Sequence, residues 1–366
     1  MIKNNNWRNF DYWLFGTVLL LSIFGIAMIH STIAGNIDNA NIDTRQAVFA
    51  FMGMIIVFGV AAIDYHYWAS LTRPMYLVTV VLLLIIFVIG KASFGSARWI
   101  NTGLVNIQPS EIAKVVIILV LSEYFTLNWE KPHNIKWIIN SFLLIAGVVI
   151  WIILQPNLST SIVIIVLWFA LLWISNLPVK YILAFVLIAI IATGVIFPFL
   201  VDYQQQRVIT FLFPNPNERY GNNYNVDQAL ITIGSGGWFG EGYGHGTQVQ
   251  LRFLKVRLSD FIFSSIAEEF GFIGTTIIIG LLILVILRCI RAARLAKDRF
   301  GALIAYGFAI LIIFQTIVNI GVNLKVVPVT GLPLPFISYG GSSIISLALG
   351  VGLVESVIMR RNSPEK

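Results

Sequence analysis

The sequence predicts an all-α polytopic membrane protein, and three observations carry that prediction. Of its 366 residues, 58% are hydrophobic and only 11% are charged, against about 25% charged residues in a soluble domain. The apolar residues gather into about ten segments of near twenty residues, the length needed to cross a hydrocarbon core about 30 Å thick. The basic residues concentrate in alternate connecting segments, as expected of a chain that weaves through a bilayer. A mean hydropathy of +0.85 leaves too little polar surface to cover a water-soluble fold of this size.

Lys3 and Arg8 precede an apolar run over about 11–33. That run is too long for a signal-peptide core and further spans follow it, so it reads as an uncleaved first transmembrane helix. Spans follow near 46–63, 74–90, 109–126, 137–154, 158–175 and 181–201; after a long polar interruption come 261–287, 301–322 and 341–359. An even count puts both termini on one side. With the N-terminus inside, 14 of the 24 basic residues are cytoplasmic, and the short outer loops hold only Arg45, Lys91, Arg98 and Lys325. That asymmetry predicts an N-in/C-in chain. Residues 1–366 form one transmembrane domain with a large extracytoplasmic loop, 202–260, between the seventh and eighth spans. A loop of that length carries a function or structure of its own.

Other chemistries find no support. The net charge of +7 sets orientation here, so no nucleic-acid partner is expected. The single Cys289 excludes an intrachain disulfide, and His30, His66, His133 and His245 have no ligand spacing. The glycines of 234–246 do not form a GxGxxG and no Walker motif exists, so nucleotide chemistry is unsupported.

Asp260 is the first candidate, at the outer start of the eighth span in RLSDFIFSSIAEEFGFIG. It reads either as a helix N-cap or as a carboxylate at the membrane–water boundary that takes a proton from a hydroxyl or holds a cation. Glu111 and Lys114, in QPSEIAK, share a helix face. They are a packing ion pair or part of a site, since ionisable residues within spans face a cavity or a partner. Arg98, Gln155 and Gln228 fit an interfacial anchor, a tight turn and a loop as well as a site, and Arg207 belongs to the basic set of the long loop. Ser338 sits in GLPLPFISYGG (331–341), where Pro333, Pro335 and Gly340–Gly341 imply non-helical backbone at membrane depth. Such backbone is tolerated only when buried in protein or lining a wet cavity.

The stretches ARWIN, QPSEIAK, QPNLSTS, YQQQRV, DQALITIGSGGWFGEG, HGTQVQLRFL, SDFIFSSIAEEFGFIG and PVTGLPLPFISYGGSS follow in this order between the first span and Arg361. In order and spacing they resemble the shape, elongation, division and sporulation (SEDS) family over nearly the whole chain. The short N-terminus and HGTQVQLRFL are more similar to its rod-elongation branch than to its division branch. The resemblance implies a peptidoglycan glycosyltransferase that polymerises lipid II at the outer face of the bacterial plasma membrane. It matches Asp260 to the catalytic aspartate and Glu111 and Lys114 to functional residues of the fourth span. It places Arg98, Gln155, Arg207, Gln228 and Ser338 in motifs lining the substrate cavity. A divalent cation, Mg²⁺ or Mn²⁺, fits the departure of a pyrophosphate, and the implied partner is a class B penicillin-binding protein, a transpeptidase with one transmembrane helix.

Three departures from the family pattern stand out. Asn157 and Ser159 replace a usual Asp and Gly; Lys255, Val256 and Ser259 replace a usual Pro, Glu and Thr; Lys325 stands where the residue is often small and could meet phosphate or snorkel. Two other functions fit an outer polar cavity. A lipid-precursor flippase would need a polar path through the cytoplasmic half, where the sequence places few charges. A non-catalytic scaffold would tolerate change at Asp260.

Overall fold

The computed structural model describes residues 6–33, 41–93, 100–101, 106–130, 134–200, 202–213, 224–251, 253–254 and 257–361. Each of the ten expected spans coincides with a helix: α1 (Tyr12–Ile33), α2 (Ile42–Ala62), α3 (Tyr65–Ser93), α4 (Pro109–Leu127), α5 (Ile135–Leu154), α6 (Leu158–Ile174), α7 (Val179–Ile196), α11 (Ile262–Leu295), α12 (Arg299–Asn323) and α13 (Gly341–Met359). Seven of these are long and apolar enough to cross a membrane by length and composition. α6 is shorter, and α4 carries Glu111, Lys114 and Glu123.

One expectation is revised, and another is given its content. The third helix starts at Tyr65, not near residue 74, and runs through Pro74. Asp64 starts it early: its carboxylate accepts from the His66 N–H at 3.1 Å and its carbonyl from Tyr67, satisfying donors at a helix start. The long segment after the seventh span is not plain loop. It contains α8 (Asp202–Leu212), α9 (Tyr224–Ser235) and α10 (Thr247–Gln250). Ahead of α4, Ile100 pairs with Ile107 and Asn101 with Asn106 in a two-residue antiparallel ladder. Arg98, Lys255 and Val256 lie outside the described residues.

Both described ends of the chain meet at one end of the bundle. Asn9 donates to the Met359 carbonyl at 3.4 Å, and Arg361 donates to the Asn9 side chain at 3.2 Å. The Asp11 carboxylate there accepts from Trp13 N and Leu14 N at the start of α1 and pairs with Arg288 of α11. The Asp11 N–H donates to Glu355 of α13 at 2.9 Å. These buried charges tie α1, α11 and α13 together at that end.

Between helices the contacts depend on small residues, because lipid tails are as apolar as leucine and close van der Waals packing must hold the helices together. A Cβ at Gly352 of α13 would stand 2.7 Å from Val60 Cβ of α2. The opposite end of the bundle carries 258–261, the start of α4, the α5–α6 turn and the 328–340 segment. Leu332, Leu334, Phe336 and Ile337 of that last segment are buried. The irregular backbone expected there is therefore enclosed in protein, as membrane depth demands.

Candidate active site

The 329–340 segment is the hub of the second end. Arg207 of α8 donates to the Val329 carbonyl at 3.3 Å, and the Ser159 hydroxyl of α6 donates to the Thr330 carbonyl. Asn319 of α12 donates to the Leu332 carbonyl at 2.8 Å, and Gln46 of α2 to the Ser338 carbonyl at 3.1 Å. Ser338 itself is committed on both sides. Its hydroxyl accepts from Leu334 N at 2.8 Å and donates to the Ser259 carbonyl at 2.7 Å, while Tyr339 N donates to the Leu258 carbonyl at 2.9 Å. Ser338 thus fastens the hub to the residues just before Asp260.

Asp260 is held by its backbone. Its carbonyl accepts from Asn319 at 3.1 Å and from Asn323 at 2.9 Å, and Asn323 also accepts from the Ser264 N–H and hydroxyl. The helix-capping reading does not hold, because the residue at the N-cap of α11 is Phe261, with no side-chain cap. The Asp260 carboxylate is left for other work. It stands near Gly331, whose φ of +80° lets the hub pass close: a Cβ there would be 3.7 Å from Asp260 Oδ2. Burial raises the Asp260 pKa above the ordinary carboxylate value, and a hydrogen bond from Ser259 and the positive charge of Arg207 pull it back down.

Glu111 and Lys114 do meet, at 2.8 Å and almost fully buried. The Ser346 hydroxyl of α13 donates to the other Glu111 oxygen at 3.4 Å. The Lys114 ammonium therefore faces Glu111, not open water, and its charge is compensated. Asn157 keeps the pair's helix in place by donating to Ser110 at 3.3 Å. It also caps α6 by accepting from Thr160 N, so the amide that stands for the family's usual acid serves both tasks.

The remaining candidates are spread more widely. Gln155 donates to the Leu83 carbonyl of α3 at 2.8 Å and is buried. Gln228 lies on α9 with a partly exposed side chain, and its carbonyl accepts from Thr232. Lys325 pairs with Asp227 of α9 at 2.7 Å, with both side chains partly open to solvent. Glu123, toward the other end of α4, accepts from the Thr72 hydroxyl of α3. Among the described residues no three His, Cys, Asp or Glu side chains gather closely enough to hold a metal ion.

Sequence reasoning missed the residues that shape the long loop. Glu268 and Glu269 of α11 are buried. The Glu268 carboxylate accepts from Gln248 N at 2.7 Å and Val249 N at 3.1 Å, and Glu269 accepts from the Ser31 hydroxyl of α1. At Gly271 the helix breaks, with φ +65°. Glu241 N and Gly242 N donate to the Glu268 and Glu269 carbonyls, while Phe272 N and Ile273 N donate to those of Gly237 and Trp238. The SGGWFGEG stretch thereby packs flat against the broken helix, which its glycines permit. Arg257, also buried, donates to the Thr32 carbonyl at 2.8 Å and anchors the approach to Asp260. Asn319 and Asn323 were equally silent in sequence, reading as ordinary polar positions of a span.

The fold and this end of the bundle define a multi-pass helical membrane protein that holds a partly exposed Asp260 carboxylate and, on its fourth helix, a buried ion pair. The chain belongs to the FtsW/RodA/SpoVE family of cell cycle proteins, whose sequence profile matches residues 11–363. It is 36% identical over 316 residues to the peptidoglycan glycosyltransferase MrdB of Escherichia coli K12, covering 86% of this chain and 85% of that one. It is 34% identical over 354 residues to a probable peptidoglycan glycosyltransferase FtsW of Hydrogenovibrio crunogenus, covering 94% and 90%. Among solved structures it is similar to a chain of a peptidoglycan synthase complex that coordinates polymerization and crosslinking. There the TM-score is 0.81 at 28% identity, over 97% of this chain and 99% of the other. The rod-shape-determining protein RodA of Thermus thermophilus gives a TM-score of 0.73 at 28% identity, over 98% and 100%.

Proposed function

We propose that the chain is a peptidoglycan glycosyltransferase that polymerises lipid II at the outer face of the bacterial plasma membrane during cell elongation. The observation that carries the reading is the placement of Asp260: backbone clamped, carboxylate uncommitted to the helix start, with Arg207 beside it. Relatives over most of the chain's length bear the same activity in their names.

In this reading the sugar C4 hydroxyl of one substrate attacks the anomeric carbon of the next. Its proton passes to the Asp260 carboxylate, the new carbon–oxygen bond forms, and the bond to the lipid pyrophosphate breaks. Attack opposite the leaving group inverts an α-linked donor to a β-1,4 glycan. The raised pKa of Asp260 brings the base closer to neutral pH, where proton transfer from a hydroxyl is better driven. Arg207 supplies positive charge near the reacting groups. The buried Glu111–Lys114 pair sets the local packing and field. A divalent cation, Mg²⁺ or Mn²⁺, would take most of its ligands from substrate phosphates and water, the habit of Mg²⁺ sites, with Asp260 as the nearby carboxylate.

The partner is a class B penicillin-binding protein that cross-links the strands made here, a proposal supported by the similarity to a chain of a synthase complex. The excess of basic residues at the end where the described chain begins and ends supports an N-in/C-in orientation with Asp260 outside. The test uses purified protein with and without that partner, labelled lipid II, and Asp260→Ala beside the wild type. Glycan ladders from the wild type alone support the reading. Ladders from neither, with both proteins folded and partner-bound, would return the weight to transport or scaffolding.

A further inference from the structure

Gln315 of α12 is fully buried, and neither atom of its carboxamide has a hydrogen-bond partner among the described residues. Four residues further, the side-chain oxygen of Asn319 is likewise unpartnered. A polar atom left unbonded at membrane depth is costly, so a bare carboxamide at Gln315 and a bare amide oxygen one turn on at Asn319 demand an account.

Helix geometry places Gln315. Gly307 of α12 approaches Ile118 of α4, where a Cβ would lie 2.8 Å from the isoleucine side chain, and Gly350 of α13 packs on Phe308. α12 runs toward the outer end while α4 and α13 run away from it. Seven residues, about 10 Å of helix, lead from these contacts to Gln315 on α12, Glu111 on α4 and Ser343 on α13. Glu111 is tied at that level to Ser346 of α13. Gln315 also repeats the direction of Phe308, seven residues earlier, so it faces α13 on the side next to α4. Asn319, one turn outward, holds the Asp260 carbonyl.

We propose that Gln315 is a positioning residue of glycosyl transfer. Its carboxamide holds buried water that joins the Glu111–Lys114 pair to Asn319, and through Asn319 to the backbone of Asp260. A buried water needs two to four polar partners, and Gln315, the Asn319 oxygen, Glu111 and Ser343 offer them. The inference rests on the polymerase reading above and adds to it a path by which the ion pair and the base share one hydrogen-bonded frame.

The test has two arms. In the first, a high-resolution structure of the wild-type protein is expected to show ordered water within about 3 Å of the Gln315 amide, shared with Glu111 or Asn319. Dry density there, or a direct side-chain contact, overturns the proposal. In the second, Gln315→Leu and Gln315→Asn are compared with the wild type in lipid II polymerisation and thermal melting. The leucine variant is expected to melt at or above the wild type, to lose about tenfold in kcat and to keep its KM, while the asparagine variant recovers most of the rate. Full kcat in the leucine variant overturns the proposal. So does a loss that tracks lower melting and is not rescued by asparagine. A wild type that shows the water but makes no glycan removes the polymerase reading and leaves the hydrated link standing. An active wild type with a dry Gln315 does the reverse.

Discussion

Asn323 grips Asp260 by the backbone: its amide nitrogen lies 2.9 Å from the Asp260 carbonyl oxygen, and its own oxygen accepts from Ser264. One α12 side chain thus joins Asp260, two residues before α11, to the first turn of α11. Replacing it by leucine leaves the Asp260 carbonyl to Asn319 alone and strands the buried N–H and hydroxyl of Ser264. Asn323→Leu is expected to cost about 1–3 kcal/mol and to slow polymerisation by misplacing the carboxylate. Thermal melting and initial rates check both effects, and a variant with native rates would show that the clamp does not position Asp260.

Asp260→Asn separates function from stability. The folded protein raises the Asp260 pKa, so the native state favours the protonated form. The stability this contributes is present below the unfolded pKa and is lost as pH rises through the folded one. At neutral pH the ionised carboxylate is a burden that a neutral amide removes. The asparagine variant is expected to melt no lower than the wild type at pH 7.5, yet to polymerise at least a hundredfold more slowly, within the usual range for a lost general base.

Arg207 lowers the pKa of Asp260 by its charge. Arg207→Gln is therefore expected to move the acid limb of the kcat/KM profile to higher pH, with the largest loss of rate at the acid end. The same profile recorded in high salt should show a smaller difference if Arg207 acts through solvent-screened charge. An unmoved acid limb would mean that the base is a different group.

The Glu111–Lys114 pair is buried on both sides, and removing one partner leaves an uncompensated charge. Lys114→Met is expected to destabilise the protein by about 3–5 kcal/mol. The double variant Lys114→Met with Glu111→Gln should recover much of that stability. If it recovers stability but not polymerisation, the pair contributes to the reaction as well as to packing. Melting temperatures and rates of the two variants beside the wild type decide it.

Gly271 carries φ +65° at the break in α11, and a Cβ there would run into the backbone of Trp238–Gly240. Gly271→Ala is expected to destabilise by more than about 1 kcal/mol and to loosen the glycine-rich loop. Faster proteolysis between residues 236 and 246 would register that loosening. Native resistance would show that the loop is held by other contacts.

Much of this molecule was legible in its residues one span at a time. Apolar runs of membrane length announced the helices, whose bounds follow the sequence closely at α4, α6 and α13. The reason is that each spanning helix must satisfy its own backbone hydrogen bonds, so local composition suffices to find it. Pro333, Pro335 and Gly340–Gly341 announced a buried irregular segment for the same reason. Spacing of three also foretold that Glu111 and Lys114 would meet.

What the sequence determined by itself was therefore the helices of the apolar runs, the shared end of the termini and the chemical types available at the other end. Only the tertiary structure decided how those types are used. It freed Asp260 from capping α11, turned Lys325 toward Asp227, and used up the Ser338 hydroxyl within the backbone. It also gave Glu268, Asn319 and Asn323 structural tasks that no motif marks. Most of these outcomes join residues 13 to 98 positions apart. A polar side chain withdrawn from water must take whatever partner the packing brings within hydrogen-bond reach, and that partner is set by how the helices cross.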